Sequence, residues 1–299
     1  MQSFGKFIKE ETLYQEELRE EYIKEQYDVL LEKLITFGGK AYPKFGNIVI
    51  MAGGAGSGKG FVKDKLVGIE GRVFDVDELK TLAAKTPIIR KRVMDEFGVD
   101  LEKLAANLKT AENVAKLHEI IGDAMNLPDK RMQVMYASVL SAPADRKPNI
   151  IFDVTLKDLR KLEKLTRQVS GIGYEKKNIH IVWVVNDIEV AKSQNVKRDR
   201  TVPVEILVNT HRGASQTMLD IINMGKSLKK YMDGDIVFAF NKVGVDSDVA
   251  VSGKGGMYIK DANYFYVKRA GKQVQSADSI SKDLRAKIAS YVPKNAEWV

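Results

Sequence analysis

The apolar run Asn47-Ile48-Val49-Ile50-Met51-Ala52 leads without a break into Gly53-Gly54-Ala55-Gly56-Ser57-Gly58-Lys59-Gly60. A continuous apolar stretch of this length predicts a strand buried on both faces, and such a strand needs a sheet covered by helices on either side. The glycines that follow let the backbone turn at positive φ, so that successive N–H groups converge on one point. The spacing G-x-x-x-x-G-K from Gly53 to Lys59 is that of a phosphate cradle. In such a cradle the lysine reaches the β- and γ-phosphates of a nucleotide, and the next helix presents its positive end. All eight positions from Gly53 to Gly60 are therefore candidate ATP-binding residues.

Four more apolar runs fit the same architecture. They are Arg72-Val73-Phe74, Asn149 to Phe152, His180 to Val185 and Asp235 to Phe240. Each ends in polar residues, and in open α/β sheets that carboxyl edge is where ligands bind. The helical lengths between them predict βαβ crossovers and a parallel sheet, giving an α/β P-loop NTPase or kinase fold. Residues 5–37 carry Phe7, Tyr14, Leu18, Tyr22, Leu30, Leu31 and Leu34 at helical spacing among Glu and Lys, which predicts one or two amphipathic helices. A helical region fills roughly 78–141, broken near Pro87 and Pro128. After about 243, short apolar segments between Gly-rich or polar turns predict small antiparallel strands, then a helix near 279–291. The expected division is an N-terminal arm over 1–42, a core over 43–242 with a helical insertion at 82–148, and a β-rich extension over 243–299.

Three features bear on chemistry around the cradle. Gly60 stands where a Ser or Thr hydroxyl ordinarily binds Mg²⁺, so the ion falls to Ser57 or to a carboxylate acting through water. Asp75 and Asp77 close the second strand, and alternate residues of an extended chain face the same way. Transfer of a phosphoryl group to a hydroxyl needs a carboxylate to accept the hydroxyl's proton. One of the two Asp residues caps the helix that begins near Glu78, and position alone does not assign which. The segment from Glu189 to Pro203 is basic, and Arg198 and Arg200 are placed to clamp a transferring phosphate with their planar forks. Read otherwise, it is a solvated basic helix.

The stretch Phe74-Asp75-Val76-Asp77-Glu78-Leu79-Lys80, taken with the glycine loop, resembles the zeta-toxin group of P-loop kinases. Ile151-Phe152-Asp153-Val154-Thr155-Leu156-Lys157 and the Val202-Pro203 close of the basic segment are similar to that group as well. The resemblance covers about 47–241 in four separated segments. It implies ATP and Mg²⁺ as cofactors, Asp77 as base, and Asp75, Asp153, Thr155 and Lys157 facing an acceptor, with Asp153 alternatively a metal residue. It also implies an Arg-bearing lid and a nucleotide sugar as acceptor.

The net charge of +8 and pI of about 9.3 leave a nucleic-acid or modified-base kinase open as an alternative. A non-catalytic nucleotide-binding protein whose N-terminal helix docks a protein partner is the third reading, and Gly60 favours it. No apolar run approaches the roughly 18 residues of a membrane span, and the early residues turn acidic, so no secretory signal is expected. Cysteine is absent, which excludes disulfides and thiolate metal sites and makes the cytoplasm the default location. His118, His180 and His211 lack metal spacing; His118 reads as structural, and His211 as a weak candidate for substrate contact. Asn241 and Lys242 end the last core strand at the ligand edge, where they could meet adenine or ribose.

Overall fold

Five parallel strands form the frame: β1 (Ile48–Ala52), β2 (Arg72–Asp75), β3 (Ile150–Asp153), β4 (Ile179–Val185) and β5 (Ile236–Phe240). The computed structural model describes residues 35–38, 40, 43–186, 188–197, 201–240, 249–251, 257–259, 264–269, 271–274, 279–280 and 282. Every residue of β1, β4 and β5 is buried, as continuous apolar strands between two helical layers must be. The order across the sheet is β2-β3-β1-β4-β5-β8-β9, with β8 (Tyr264–Arg269) and β9 (Lys272–Gln273) at one edge. Alternation divides the apolar residues between two faces. Ile48, Ile50, Phe152, Ile181 and Trp183 join one core, while Val49, Met51, Ile151, Val182 and Val184 join the other. This order places the carboxyl ends of β1, β2 and β3 side by side, with Met51 paired to Asp153 and Asp153 to Asp75.

The helices are α1 (Lys59–Lys65), α2 (Val76–Lys85), α3 (Pro87–Phe97), α4 (Leu101–Ala106), α5 (Ala111–His118), α6 (Leu127–Leu140), α7 (Leu159–Gly171), α8 (Ile188–Lys197) and α9 (Val204–Asn223). A short π-helical turn, Glu119–Ala124, joins α5 to α6. The helical region between β2 and β3 breaks at Pro87 and at Leu127-Pro128, where sequence placed the breaks. It also ends at Gly98, whose φ of 63° stops α3, and restarts at Asp100, whose carboxylate accepts from the N–H groups of Glu102 and Lys103. Leu101, Leu104, Leu117, Ile121 and Met125 give these helices a small core of their own.

Two stretches differ from the sequence reading. The helical pattern of residues 5–37 does not extend to its end: residues 35–37 form an extended strap. Ile35 and Phe37 alternate inward against Val67 and His180, and the N–H of Ile35 donates to Leu66 O at 2.7 Å. The preceding residues, 1–34, lie outside the described ones. The second difference is at the other end, where β8 pairs antiparallel with β5 and so continues the main sheet. The boundary drawn at 242 thus falls within one sheet. Among the described residues, β6 (Val249–Val251) and β7 (Met257–Ile259) pair only with each other. The helix expected near 279–291 falls almost wholly outside the described residues.

At the amino end of the sheet, His180 is buried and its Nδ1 accepts the N–H of Asp235 at 2.9 Å. Nε2 then carries the proton and donates to Asn47 Oδ1 at 3.2 Å. Burial pushes the imidazole pKa from 6.5 down to about 4, against the pull of the Asp235 carboxylate. The unfolded chain therefore takes up a proton below about pH 6.5 that the folded chain refuses until about pH 4. Stability from this residue is complete above pH 6.5 and falls as the pH drops, by up to about 3 kcal/mol. Urea unfolding at pH 7 and pH 5 should show this loss, and His180→Gln should flatten it.

Candidate active site

Three glycines of the loop take left-handed or mirror-region φ values: Gly53 at 144°, Gly56 at 75° and Gly58 at 87°. At Gly53 the need is also steric, because a Cβ there would lie 2.5 Å from Val184 O. The backbone directs several donors to one place. Ser57 N–H closes a turn onto Gly54 O at 3.2 Å. Among the described residues, the N–H groups of Gly56, Gly58, Lys59 and Gly60 donate to no other residue. Four such donors following a buried strand are the kind of group that an anion-binding nest uses. Lys59 folds back across the same loop, its Nζ donating to Gly53 O at 3.1 Å and Gly54 O at 3.3 Å. It also lies 3.7 Å from Asp153 Oδ1.

The carboxylates take distinct places. Asp75 has extended backbone angles and its Oδ1 accepts from the N–H groups of Asp77 (2.7 Å) and Glu78 (3.3 Å). It is the cap of α2. Asp77 falls in the first turn of that helix, its side chain 54% exposed and 3.4 Å from Lys80 Nζ, so its carboxylate faces the cleft rather than the backbone. Asp153 ends β3. Burial raises its pKa above the ordinary carboxylate value, and the neighbouring Lys59 ammonium opposes that rise.

Beyond Asp153 the chain turns sharply. Leu156 is left-handed, with φ 51°, and its side chain is buried, a backbone state that costs on the order of 1 kcal/mol for a non-glycine residue. Thr155 and Lys157 flank this corner and line the cleft. Thr155 does not cap α7: Asp158 does, accepting the Arg160 N–H at 2.8 Å. Instead Thr155 offers its carbonyl to Gly53 N–H at 3.4 Å, tying the β3 corner to the loop.

Together these residues line one cleft of about 900 Å³, within the size range of small-molecule sites. The loop, Asp77 and Asp153 line it together with four basic residues, Lys157, Arg160, Lys161 and Lys164. Arg160 is tied to Asp158 and Lys164 to Asp129, whereas burial lowers the Lys161 pKa. Sequence reading missed Lys80, Lys161 and Lys164 as cleft residues; Lys161 and Lys164 are three apart on α7 and so share a face. His118, read as structural, also lines the cleft. His211 lies against the loop itself, with Nε2 2.8 Å from Ala55 O.

Arg198, Arg200, Asn241 and Lys242 lie outside the described residues. The segments on either side of the expected arginine lid do reach the cleft, through Gln194 and Val202. Asn195 fixes the second of these, donating to Val202 O at 2.6 Å and accepting from Val202 N–H at 2.9 Å.

A substituent on Gly60 would meet no atom within 4 Å, so a serine hydroxyl fits without displacement. Gly60→Ser is expected to leave the thermal midpoint unchanged or slightly raised, since serine has the better helix propensity by about 0.5 kcal/mol. It is also expected to tighten Mg²⁺-dependent nucleotide binding, which titration with and without the ion would read.

A glycine loop between β1 and α1, with β3 beside β1 in a parallel sheet, defines the P-loop kinase class of fold. No protein-family model matches the chain, and no curated protein does. Among solved structures the fold is similar to one from the PezAT chromosomal toxin–antitoxin system of Streptococcus pneumoniae, at 12% identity and TM-score 0.43, over 87% of this chain and 82% of that one. It is also similar to the AvrRxo1-ORF1:-ORF2 complex with ATP, at 9% identity and TM-score 0.46, over 80% of this chain and 63% of that one. A third is TT1252 from Thermus thermophilus, at 17% identity and TM-score 0.32. At these identities the likeness is one of fold alone.

Proposed function

We propose that the chain is an ATP-dependent kinase that transfers the γ-phosphate to a hydroxyl of a small acceptor of the nucleotide-sugar class. The observation that carries this reading is the convergence in one cleft of four unclaimed loop N–H groups, Lys59, Asp153 and Asp77, together with Lys157, Arg160, Lys161 and Lys164. The N–H groups of Gly56, Gly58, Lys59 and Gly60 receive the phosphate oxygens. Lys59 exchanges its carbonyl partners for the β- and γ-phosphates. Asp77 takes the proton of the acceptor hydroxyl as its oxygen bonds to the γ-phosphorus, and the bond to ADP breaks. Thr155 and Lys157 orient the acceptor, and the other basic residues of the cleft suit its phosphates. Arg198 and Arg200 are assigned to the charge that spreads over the transferring group.

Among the described residues, no group of three or more His, Asp or Glu side chains forms a metal site. Mg²⁺ characteristically keeps several waters and needs one or two carboxylates beside substrate phosphates. Asp153, at the mouth of the loop with open space beside Gly60, fits that requirement. The ion would neutralise phosphate charge there.

The protein's positive charge also suits a nucleic-acid acceptor, and a non-catalytic nucleotide-binding protein would keep the same loop. A protein partner docked through the charged residues 1–42 is compatible with each reading. Among the described residues no helix is long and apolar enough to cross a membrane, and a cytoplasmic site of action is part of the proposal. Incubation with γ-labelled ATP and either nucleotide sugars or DNA and RNA separates the readings. Label on the sugar supports the first, label on nucleic acid supports the second, and ATP binding without transfer to either leaves the third.

A further inference from the structure

The crest of the glycine loop is held from outside, by residues far away in sequence. Ala55 N–H donates to Thr210 Oγ1 at 3.0 Å, while the Thr210 hydroxyl spends its own proton on Leu207 O at 2.7 Å. On the other side of the same residue, His211 Nε2 meets Ala55 O at 2.8 Å. A carbonyl only accepts, so this nitrogen carries the proton. The imidazole lies so close to the loop that a Cβ on Gly54 would be 2.3 Å from it. Ala55 itself packs among Ile188, Ala191 and Leu207, with Val202 and Val208, and a Cβ on Gly56 would lie 3.0 Å from Ala191 O.

A loop with three positive-φ glycines is entropically costly to hold in one shape. Lys59 Nζ ties the carbonyls of Gly53 and Gly54, Asn186 Nδ2 reaches Gly56 O at 3.5 Å, and Gly53 N–H is bonded to Thr155 O; the crest at Ala55 lies between these ties. The Thr210–His211 pair supplies the missing constraint, and it uses Ala55 rather than the donors from Gly56 to Gly60 that face the cleft. α9 begins at Val204, directly after the basic segment, and Thr201 N–H is bonded to Leu108 O at 3.0 Å.

We propose that Thr210 and His211 are positioning residues of the nucleotide site, which hold the loop in its phosphate-receiving shape by gripping Ala55 through its N–H and its carbonyl. This inference rests on the nucleotide reading above but concerns residues that do not line the cleft. The two failures are distinguishable by titrating a fluorescent ATP analogue into the full chain, wild type and variants. His211→Leu and Thr210→Val are each expected to weaken binding about tenfold, the effect of one lost hydrogen bond. His211→Gln, which restores an N–H at the same reach, and Thr210→Ser, which restores the hydroxyl, should bind within about threefold of wild type, close to the precision with which one bond is valued.

A merely structural role would shift thermal midpoint and binding together and would not follow the donor. The expected result is recovery of binding in the Gln and Ser variants whatever their midpoints. If the Leu and Val variants bind as tightly as wild type, or if Gln and Ser bind as poorly as Leu and Val, the clasp is overturned. If wild type binds no nucleotide, the kinase reading fails first and takes the clasp with it. Should Leu or Val fail to fold, His211→Ala and Thr210→Ala replace them in the same comparison.

Discussion

Lys59→Ala is expected to lower phosphoryl transfer by about 10²- to 10³-fold, the scale on which loss of one preorganised electrostatic partner of a transition state is felt. Lys59 is the only residue among those described that touches both the loop carbonyls and Asp153. When phosphates fill the nest it is the one ammonium already beside them. Removing it leaves Asp153, whose carboxyl is already pushed upward by burial, without its main compensating charge. The variant should therefore lose nucleotide affinity as well as turnover. Gel-shift or calorimetric binding beside a labelled-ATP assay reads both losses. Turnover at wild-type rate would remove Lys59 from the chemistry.

Asp77→Asn is expected to cut transfer by about 10²- to 10⁴-fold, the usual worth of a general base, while leaving ATP binding close to wild type. Asparagine keeps the size of the side chain and its reach to Lys80 but cannot take the acceptor's proton. The neighbouring Asp75 separates catalysis from folding. Its carboxylate is occupied by the N–H groups of Asp77 and Glu78, so Asp75→Ala should cost about 1 kcal/mol of stability. Denaturant midpoints and initial rates measured on both variants give the contrast. Equal kinetic damage from both would mean that the helix terminus, not the Asp77 carboxylate, controls the rate.

The strands were legible because five apolar runs ending in polar residues admit few arrangements other than a covered parallel sheet. The cradle was legible because glycine spacing and a lysine carry their own geometry. What sequence left open was decided by contacts between distant segments. Whether Asp75 or Asp77 caps α2 turns on two residues of helix start, and the extended backbone of Asp75 settles it. Lys161 and Lys164 share the cleft with Lys157 only once Asp158 is known to start α7, which fixes the helical phase. Residues 35–37 were read as helix because their apolar content continues the pattern before them, yet Ile35 and Phe37 alternate as a strand does. β8 could be placed on the main sheet only through its pairing with β5, which no local pattern encodes. Thr210 and His211 left little trace for the same reason: their partner, Ala55, is 155 and 156 residues away.

The most direct test of the central claim is the structure of the chain with a non-hydrolysable ATP analogue. The account predicts phosphates seated on the N–H groups of Gly56, Gly58, Lys59 and Gly60, with Lys59 Nζ moved from Gly53 O and Gly54 O onto them. The γ-phosphate should face Asp77 and Asp153 in the cleft, with room beside it for an acceptor. An analogue bound outside this cleft, or bound within it with the γ-phosphate turned away from Asp77, would contradict the account.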